Sequence, residues 1–155
     1  MEGKLSGMKI ETTGEAQTYQ LGFQMGQNAR KGEVYGLIGD LGTGKTVFTQ
    51  GFAHGLGIKG PVNSPTFTIV QEYKEGRLPL YHFDVYRIAD PEEMEEIGYE
   101  DYFYGNGVCL VEWANLIPEL FPEDAILIRM ERDLGKTENY RSIRIVGKDE
   151  EEFSF

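Results

Sequence analysis

The chain has 155 residues, of which 26 are acidic and 15 are basic, so that its net charge is −11. This length suits one domain, and we interpret residues 1–155 as a single domain. The excess of acidic residues argues against a protein that binds nucleic acid by itself, because such proteins present basic faces to phosphates. The N-terminus has no leader signature, and no apolar run approaches the roughly 20 residues that span a bilayer. We therefore expect a cytoplasmic protein that binds no membrane.

The first half of the chain predicts a helix, a strand and a second helix. Apolar positions at helical spacing predict a helix over residues 14–30. A short apolar run predicts a buried strand at residues 33–38. A glycine-rich turn at residues 39–44 follows, and residues 45–56 predict the second helix. This order places a tight turn between a strand and a helix.

The second half predicts a hairpin, a short helix and three further strands. Two prolines exclude regular structure at residues 61–66, and Asp90 followed by Pro91 is typical of a helix start. Residues 147–155 form an acidic tail, which we expect to be frayed. The predicted hairpin strands are 67–73 and 78–83, and the later strands are 108–111, 125–131 and 140–146.

Residues 39–46 carry the strongest chemical signal. Their sequence, Gly-Asp-Leu-Gly-Thr-Gly-Lys-Thr, fits G-x-x-x-x-G-K-[ST] in full. Glycines in such a loop let backbone N–H groups point inward, and these groups cradle phosphates together with the next helix N-terminus. Lys45 would supply charge to the β- and γ-phosphates, and Thr46 would offer a hydroxyl to Mg²⁺. The apolar pattern predicts the strand before the loop and the helix after it without reference to this motif. The sequence thus predicts an α/β P-loop NTPase with a mixed, mainly parallel sheet flanked by helices.

Two acids follow apolar strands and are candidates for holding a metal or orienting water. Asp84 follows the second hairpin strand, and Glu112 follows residues 108–111. Ligands of open α/β sheets bind at these strand ends, and phosphoryl transfer needs acids there. The alternative for each is a carboxylate that only caps a loop. We predict Lys45, Asp84 and Glu112 as the catalytic residues, and the sequence leaves open which acid contacts Mg²⁺ directly.

Other residues support two interpretations each. Ser64 and Thr66 lie where a switch loop can reach the γ-phosphate, although a rigid proline turn fits as well. Trp113 belongs either to the core or to a surface that binds a partner. His82 is more simply a buried sheet residue than a general base. Arg87 either balances phosphate charge or pairs with nearby acids.

Five segments together resemble one known family. They are residues 39–46, Ser-Pro-Thr-Phe at 64–67, His-Phe-Asp-Val-Tyr-Arg at 82–87, Asp-Pro-Glu-Glu at 90–93 and Val-Glu-Trp at 111–113. In this order and spacing they resemble the TsaE (YjeE) family of small bacterial P-loop ATPases. The resemblance covers roughly residues 13–115, and more loosely the strands that follow.

The resemblance implies an ATPase that binds ATP or ADP with Mg²⁺ and is slow alone. Its partner would be the TsaB–TsaD heterodimer, in which TsaD transfers a threonylcarbamoyl group to adenosine in tRNA. The ATPase cycle would support turnover of that complex. Contact with tRNA would be only indirect, which agrees with the net charge of −11.

The resemblance also implies roles for particular residues. Mg²⁺ would be held by Thr46, Asp84 and Glu112, and Trp113 would face the partner. Val47 departs from the family, which often has threonine there, so its side chain cannot donate to the α-phosphate. The implied nucleotide-binding residues are Thr18, Asp40, Leu41, Gly42, Thr43, Gly44, Lys45, Thr46 and Val47.

Three other classes share part of the pattern. A GTPase of the switch-containing type usually carries Asn-Lys-x-Asp, which this sequence lacks. A small-molecule kinase is the second alternative, because its loop has the same glycine, lysine and threonine pattern. Arg129, Arg132 and Arg141 could suggest a lid, but strand alternation places them more simply on a solvent face. A nucleotide-dependent scaffold that hydrolyses little ATP is the third alternative.

Overall fold

The computed structural model describes residues 8–40, 42–65, 68–133 and 135–147. Within these ranges no helix has the length and apolar character needed to cross a membrane. The strands are β1 (Met8–Thr12), β2 (Val34–Ile38), β3 (Val70–Tyr73), β4 (Leu80–Asp84), β5 (Val108–Glu112), β6 (Ile126–Glu131) and β7 (Arg141–Gly147). The helices are α1 (Glu15–Asn28), α2 (Lys45–Gly55), α3 (Glu92–Glu96) and α4 (Tyr99–Phe103), with 3₁₀ turns at Ala114–Leu116 and Pro118–Leu120.

The described strands form one sheet in the order β1-β7-β6-β2-β5-β4-β3. The four central strands, β6, β2, β5 and β4, run parallel, and the remaining strands pair antiparallel at the two sides. The predicted fold class, a mixed sheet flanked by helices, is therefore confirmed. From β2 the chain first builds the β5-β4-β3 side and then returns to β6 on the other side. The loop after β2 lies at this switch point, where open α/β sheets bind ligands.

Most predicted elements are present within a few residues. The hairpin is confirmed, since β3 pairs antiparallel with β4. The prediction missed β1, a mostly exposed edge strand whose partner β7 is distant in the sequence. The frayed tail was expected from residue 147, but Gly147 is the last residue of β7. The rest of that tail, residues 148–155, lies outside the described residues.

Helices cover both faces of the sheet, and a hydrophobic core fills each side. Helices α1 and α2 pack on one face, where Leu37 of β2 and Phe52 of α2 are fully buried. The other face is covered by α3, α4 and the 3₁₀ turns, and its core includes Phe83 of β4 and Phe103 of α4. The central strands are buried on both faces, which explains their continuous apolar sequences.

Helices α1 and α2 touch through glycines, at a contact that we call the glycine interface. It consists of Gly22 and Gly26 on α1 with Gly51 and Gly55 on α2. A Cβ atom at Gly26 would lie 2.1 Å from the carbonyl oxygen of Phe52, and at the other three glycines it would lie 2.2–2.4 Å from a carbonyl oxygen of the facing helix. Contacts advance in the same direction along both helices, so their N-termini lie at the same end. This end is the carboxyl edge of the parallel strands.

Candidate functional site

Residues 39–44, here called the motif loop, join β2 to α2. Gly42 and Gly44 have φ angles of +80° and +100°, which only glycine adopts readily. A side chain at Gly39 would lie 2.7 Å from the Met130 carbonyl oxygen. The Thr43 hydroxyl donates to the Asp40 carbonyl at 2.8 Å and closes the turn. The loop conformation therefore depends on its glycines.

Lys45 is the first residue of α2, and its ammonium group is buried at the carboxyl edge of the sheet. Only 6% of the residue is exposed. The ammonium donates to the Gly39 carbonyl and lies 3.8 Å from the centre of the Trp113 ring. Burial lowers the pKa of Lys45 below its ordinary value, whereas the charges of Glu112, Asp84 and Asp40 oppose this shift. Lys45 is thus a desolvated cation surrounded by acids, and an added anion would find few competing waters around it.

Asp84 and Glu112 are the last residues of β4 and β5, and they are direct partners in the parallel register. Asp84 accepts a hydrogen bond from the Ser64 hydroxyl at 2.5 Å and another from the Tyr86 backbone N–H at 3.0 Å. Ser64 is thereby attached to one of the two candidate metal acids. The carboxyl ends of neighbouring parallel strands bring both acids to one edge, as the sequence predicted.

Glu112 is buried and paired with a histidine from the neighbouring strand. Its Oε2 lies 2.7 Å from Nε2 of His82. The two residues are 6% and 1% exposed. The interpretation of His82 as a buried sheet residue is confirmed, but its contact with Glu112 was not foreseen.

Trp113 connects the buried lysine with the protein surface. Its φ angle is +64°, which is uncommon for a residue with a side chain. The ring covers Lys45 on one side and lies 4.7 Å from the ring of Tyr86, centre to centre. Tyr86 is 57% exposed. The Trp113 side chain is thus partly buried beside the motif loop, and it adjoins an exposed aromatic residue.

Lys45, Asp84, Glu112 and Trp113 line a cleft of about 390 Å³. One wall comes from the start of α1, and the other comes from the ends of β4 and β5. Its lining residues are Gly14, Glu15, Thr18, Gly42, Gly44, Lys45, Thr46, Val47, Ser64, Asp84, Glu112, Trp113, Asn139 and Arg141. The Thr18 hydroxyl shares a 3.0 Å hydrogen bond with Thr12, which fixes this side of the cleft.

Arg141 of β7 reaches the motif loop across the intervening strand β6. Its Nε donates to the Thr43 carbonyl and its Nη2 to the Gly42 carbonyl, each at 3.1 Å. The sequence placed Arg129, Arg132 and Arg141 on a solvent face. That prediction is wrong for Arg129, which is 6% exposed, and for Arg141, which lines the cleft; only Arg132 is exposed. Strand alternation could not reveal the long-range contact of Arg141.

The donors at the cleft suit a hard cation that is shared with a phosphate ligand. Thr46, Asp84 and Glu112 offer oxygen atoms, which Mg²⁺ prefers. Among the described residues there is no group of three or more histidine, cysteine or acidic side chains that could hold a metal alone. Mg²⁺ is usually held by one or two carboxylates together with phosphates and waters, so this set of donors fits it.

Comparison with known proteins assigns the chain to a family. The family profile described as "Threonylcarbamoyl adenosine biosynthesis protein TsaE" matches residues 12–143. The chain belongs to the TsaE family. The resemblance read from the five sequence segments is therefore confirmed, and the family places the chain in tRNA threonylcarbamoyladenosine biosynthesis.

Individual relatives agree with this assignment. The tRNA threonylcarbamoyladenosine biosynthesis protein TsaE of Bacillus subtilis is 52% identical over 127 residues, which cover 82% of this chain and 71% of that protein. The protein of the same name from Haemophilus influenzae is 47% identical over 95 residues, or 61% of this chain and 60% of that protein. The crystal structure of Bacillus subtilis YdiB superimposes with a TM-score of 0.76 at 43% identity, covering 89% of this chain and 83% of YdiB.

The sequence and the family resemblance suggested a set of site residues, and most of them lie in the lining of this cleft. The set that does so is Thr18, Gly42, Gly44, Lys45, Thr46, Val47, Ser64, Asp84, Glu112 and Trp113. Asp40 and Thr43 lie in the motif loop but outside the cleft lining. Leu41 and Thr66 lie outside the described residues. Sequence reasoning missed Asn139 and the position of Arg141, both of which enter the cleft from the β6–β7 region.

Proposed function

We propose that this protein is a Mg²⁺-dependent ATPase that supports turnover of the TsaB–TsaD complex in threonylcarbamoyladenosine modification of tRNA. The observation that carries the proposal is the position of Lys45, Thr46, Asp84 and Glu112 around one cleft at the end of the motif loop. These are the parts that phosphoryl transfer requires: a cation for phosphates, a hydroxyl for the metal and acids beside it. Membership of the TsaE family supplies the pathway.

Nucleotide phosphates would bind over the motif loop and the N-terminus of α2. The Lys45 ammonium would give up its hydrogen bond to the Gly39 carbonyl and donate to oxygens of the β- and γ-phosphates. Its desolvated charge would favour this change of partner. Asp40, Leu41, Gly42, Thr43, Gly44, Thr46 and Val47 would complete the phosphate site, and Thr18 would approach from α1. The backbone near Val47 would replace the hydroxyl contact that its side chain lacks.

Mg²⁺ would be held by the Thr46 hydroxyl and by the carboxylates of Asp84 and Glu112, directly or through water. When bound, the ion would neutralise charge on the transferring phosphate. Whichever carboxylate is not a direct ligand would orient the attacking water. Glu112 is buried at the cleft, which would limit the number of waters that reach it.

Partner proteins would act through the surface beside the cleft. Ser64 is exposed, and its hydroxyl is bonded to Asp84, so a partner that moves the segment of Ser64 and Thr66 would change the metal site. Trp113 and the exposed Tyr86 lie at the same place. We infer that activity is low until TsaB–TsaD binds beside the cleft. We also infer that this acidic protein, in the cytoplasm, reaches tRNA only through its partners.

Phosphate release with and without purified TsaB–TsaD tests the proposal. We expect release to rise with the partners and to fall at least about 100-fold in Lys45→Ala, since losing one positioned donor typically costs that much. Lys59→Ala, at an exposed lysine away from the cleft, is the matched control, and it should release phosphate at the wild-type rate. Equal rates with and without the partners would exclude the partner-dependent ATPase. ATP binding without hydrolysis under both conditions would favour the scaffold, and phosphate transfer to an acceptor would favour the kinase.

A further inference from the structure

We propose that His82 is a positioning residue that holds Glu112 in the orientation needed at the metal site, an assignment that rests on the proposed function. The pair is defined by the 2.7 Å contact between Nε2 of His82 and Oε2 of Glu112. Both residues are buried, so water competes little for this bond.

The strand register explains why the two side chains meet. In the parallel pair of β4 and β5, His82 lies opposite Leu110, and Asp84 lies opposite Glu112. Side chains two residues apart in a strand share a face. His82, Asp84 and Glu112 therefore lie on one face of the sheet, and His82 is two residues further from the carboxyl edge than Asp84. It therefore contacts Glu112 from the sheet interior, whereas Asp84 stands beside Glu112 at the edge.

Hydrogen-bond chemistry fixes the roles within the pair. As a metal ligand Glu112 would be an ionised carboxylate, which only accepts hydrogen bonds, so Nε2–H of His82 would be the donor to Oε2. Nδ1 of His82 is buried and has no hydrogen-bond partner among the described residues. Burying an unpartnered polar atom is destabilising, so an apolar residue would fill this position better if packing were its only role. The bond to Glu112 accounts for a histidine here.

The bond constrains which oxygen Glu112 presents to the cleft. With Oε2 engaged by His82, Oε1 is the oxygen left for a metal or a water. Without His82 the carboxylate could turn towards Lys45, whose pKa already reflects the Glu112 charge. That movement would remove a metal ligand and neutralise the phosphate-binding cation at the same time.

The test uses Trp113, the only tryptophan of the chain, as a fluorescent reporter beside Glu112. Mg²⁺ is titrated into the protein saturated with ADP, and phosphate release is measured in parallel. His82→Leu should weaken the apparent Mg²⁺ affinity about tenfold, the lower end of the range seen when a residue supporting a metal ligand is lost. ADP affinity without Mg²⁺ should stay within about twofold of wild type, because His82 does not line the cleft.

Two further variants separate positioning from a general structural role. His82→Gln keeps an N–H donor at about the reach of Nε2 and should restore affinity to within about threefold of wild type. In a Glu112→Gln background, His82→Leu should add less than about a twofold further loss, since the two residues act as one unit. If His82→Leu does not fold, His82→Asn, whose shorter amide cannot reach Glu112, takes its place.

The assignment is overturned if His82→Leu binds Mg²⁺ like wild type, if the losses in the double variant multiply, or if His82→Gln is as weak as His82→Leu at equal thermal stability. Failure of the proposed function has a different signature. In that case wild type itself would bind ADP with no response to Mg²⁺, which would overturn both the metal site and the role of His82.

Discussion

The glycine interface and the cleft lie next to each other but are built in opposite ways. At the glycine interface, side chains are absent and the backbones of α1 and α2 touch, with no room for a single Cβ atom at Gly26. At the cleft, ionisable groups are buried, as in Lys45 and the pair of His82 and Glu112, and Trp113 has an uncommon backbone conformation. Close packing at the glycine interface stabilises the fold. The buried charges and the uncommon backbone conformation at the cleft are destabilising, and such features are typical of functional sites.

The difference shows how a small protein fixes the position of a reactive group. The glycine interface sets the distance between Thr18 on α1 and Lys45 on α2, because no flexible side chain separates the two helices. The two helices beside the cleft then keep a fixed separation although the cleft contains desolvated charges. We therefore expect mutations at the interface to affect folding, and mutations in the cleft to affect activity at nearly constant stability.

Gly26→Ala should have the largest effect on stability. The new methyl would overlap the Phe52 carbonyl oxygen, and backbone cannot move aside like a side chain. We expect a loss of at least about 3 kcal/mol in the free energy of unfolding, beyond the benefit of about 1 kcal/mol that alanine brings to a helix. Urea denaturation measures it. Gly60→Ala is the control, since nothing lies within 4 Å of its added methyl. A loss below about 1 kcal/mol for Gly26→Ala would contradict the close approach of the helices.

Arg77→Ala tests a second support of the same helix pair. Nη2 of Arg77, in the β3–β4 hairpin, lies 2.6–2.8 Å from the carbonyl oxygens of Gly26, Gln27 and Ala29 at the end of α1. Because a cation there also favours the helix dipole, its loss should cost about 1–3 kcal/mol. Activity at a temperature well below the unfolding midpoint should change little.

Lys74→Ala, in the same hairpin, is the matched control for Arg77→Ala. Lys74 pairs with Glu72 at 3.4 Å, but its side chain is 72% exposed, so its removal should cost less than about 0.5 kcal/mol. Equal losses in the two variants would show that the hairpin does not support α1 through Arg77.

Lys45→Met should change stability less than Gly26→Ala or Arg77→Ala, and it should remove nucleotide binding. Methionine keeps the apolar stem against Trp113 and removes a desolvated charge, so we expect a change below about 1 kcal/mol at neutral pH. The pKa of Lys45 is lowered in the folded protein, so the penalty for its charge is fully present below that pKa and disappears as the pH rises towards the ordinary value of 10.5. Wild type should therefore gain stability relative to Lys45→Met as the pH becomes alkaline, which thermal unfolding at several pH values measures. A constant difference across this range would contradict the desolvation of Lys45.

Local signals were enough to predict much of this molecule. The pattern of residues 39–46 indicates both the turn and its flanking strand and helix, because each glycine and the lysine act through their own conformation or charge. The position of Asp84 and Glu112 at one edge follows from apolar runs that end in acids and from the parallel arrangement of the central strands. These inferences need no knowledge of distant contacts.

The remaining features depend on contacts between distant parts of the chain. The sequence shows glycines four residues apart at Gly22 and Gly26, but their meaning appears only when α2 packs on them. The pairing of β1 with β7 and the contact of Arg141 with the motif loop each join segments about 100 or more residues apart. The bond between His82 and Glu112 needs the exact register of two strands. No pattern within a short window contains this information.

The contact between Arg141 and the motif loop also has a consequence for biosynthesis. During translation the motif loop leaves the ribosome long before β7, and the guanidinium that binds the Gly42 and Thr43 carbonyls arrives with that last described strand. A nascent chain that ends before β7 therefore lacks these two contacts of the motif loop. The motif loop therefore gains these two hydrogen bonds only when β7 docks, so the cleft reaches its final form near the end of chain synthesis.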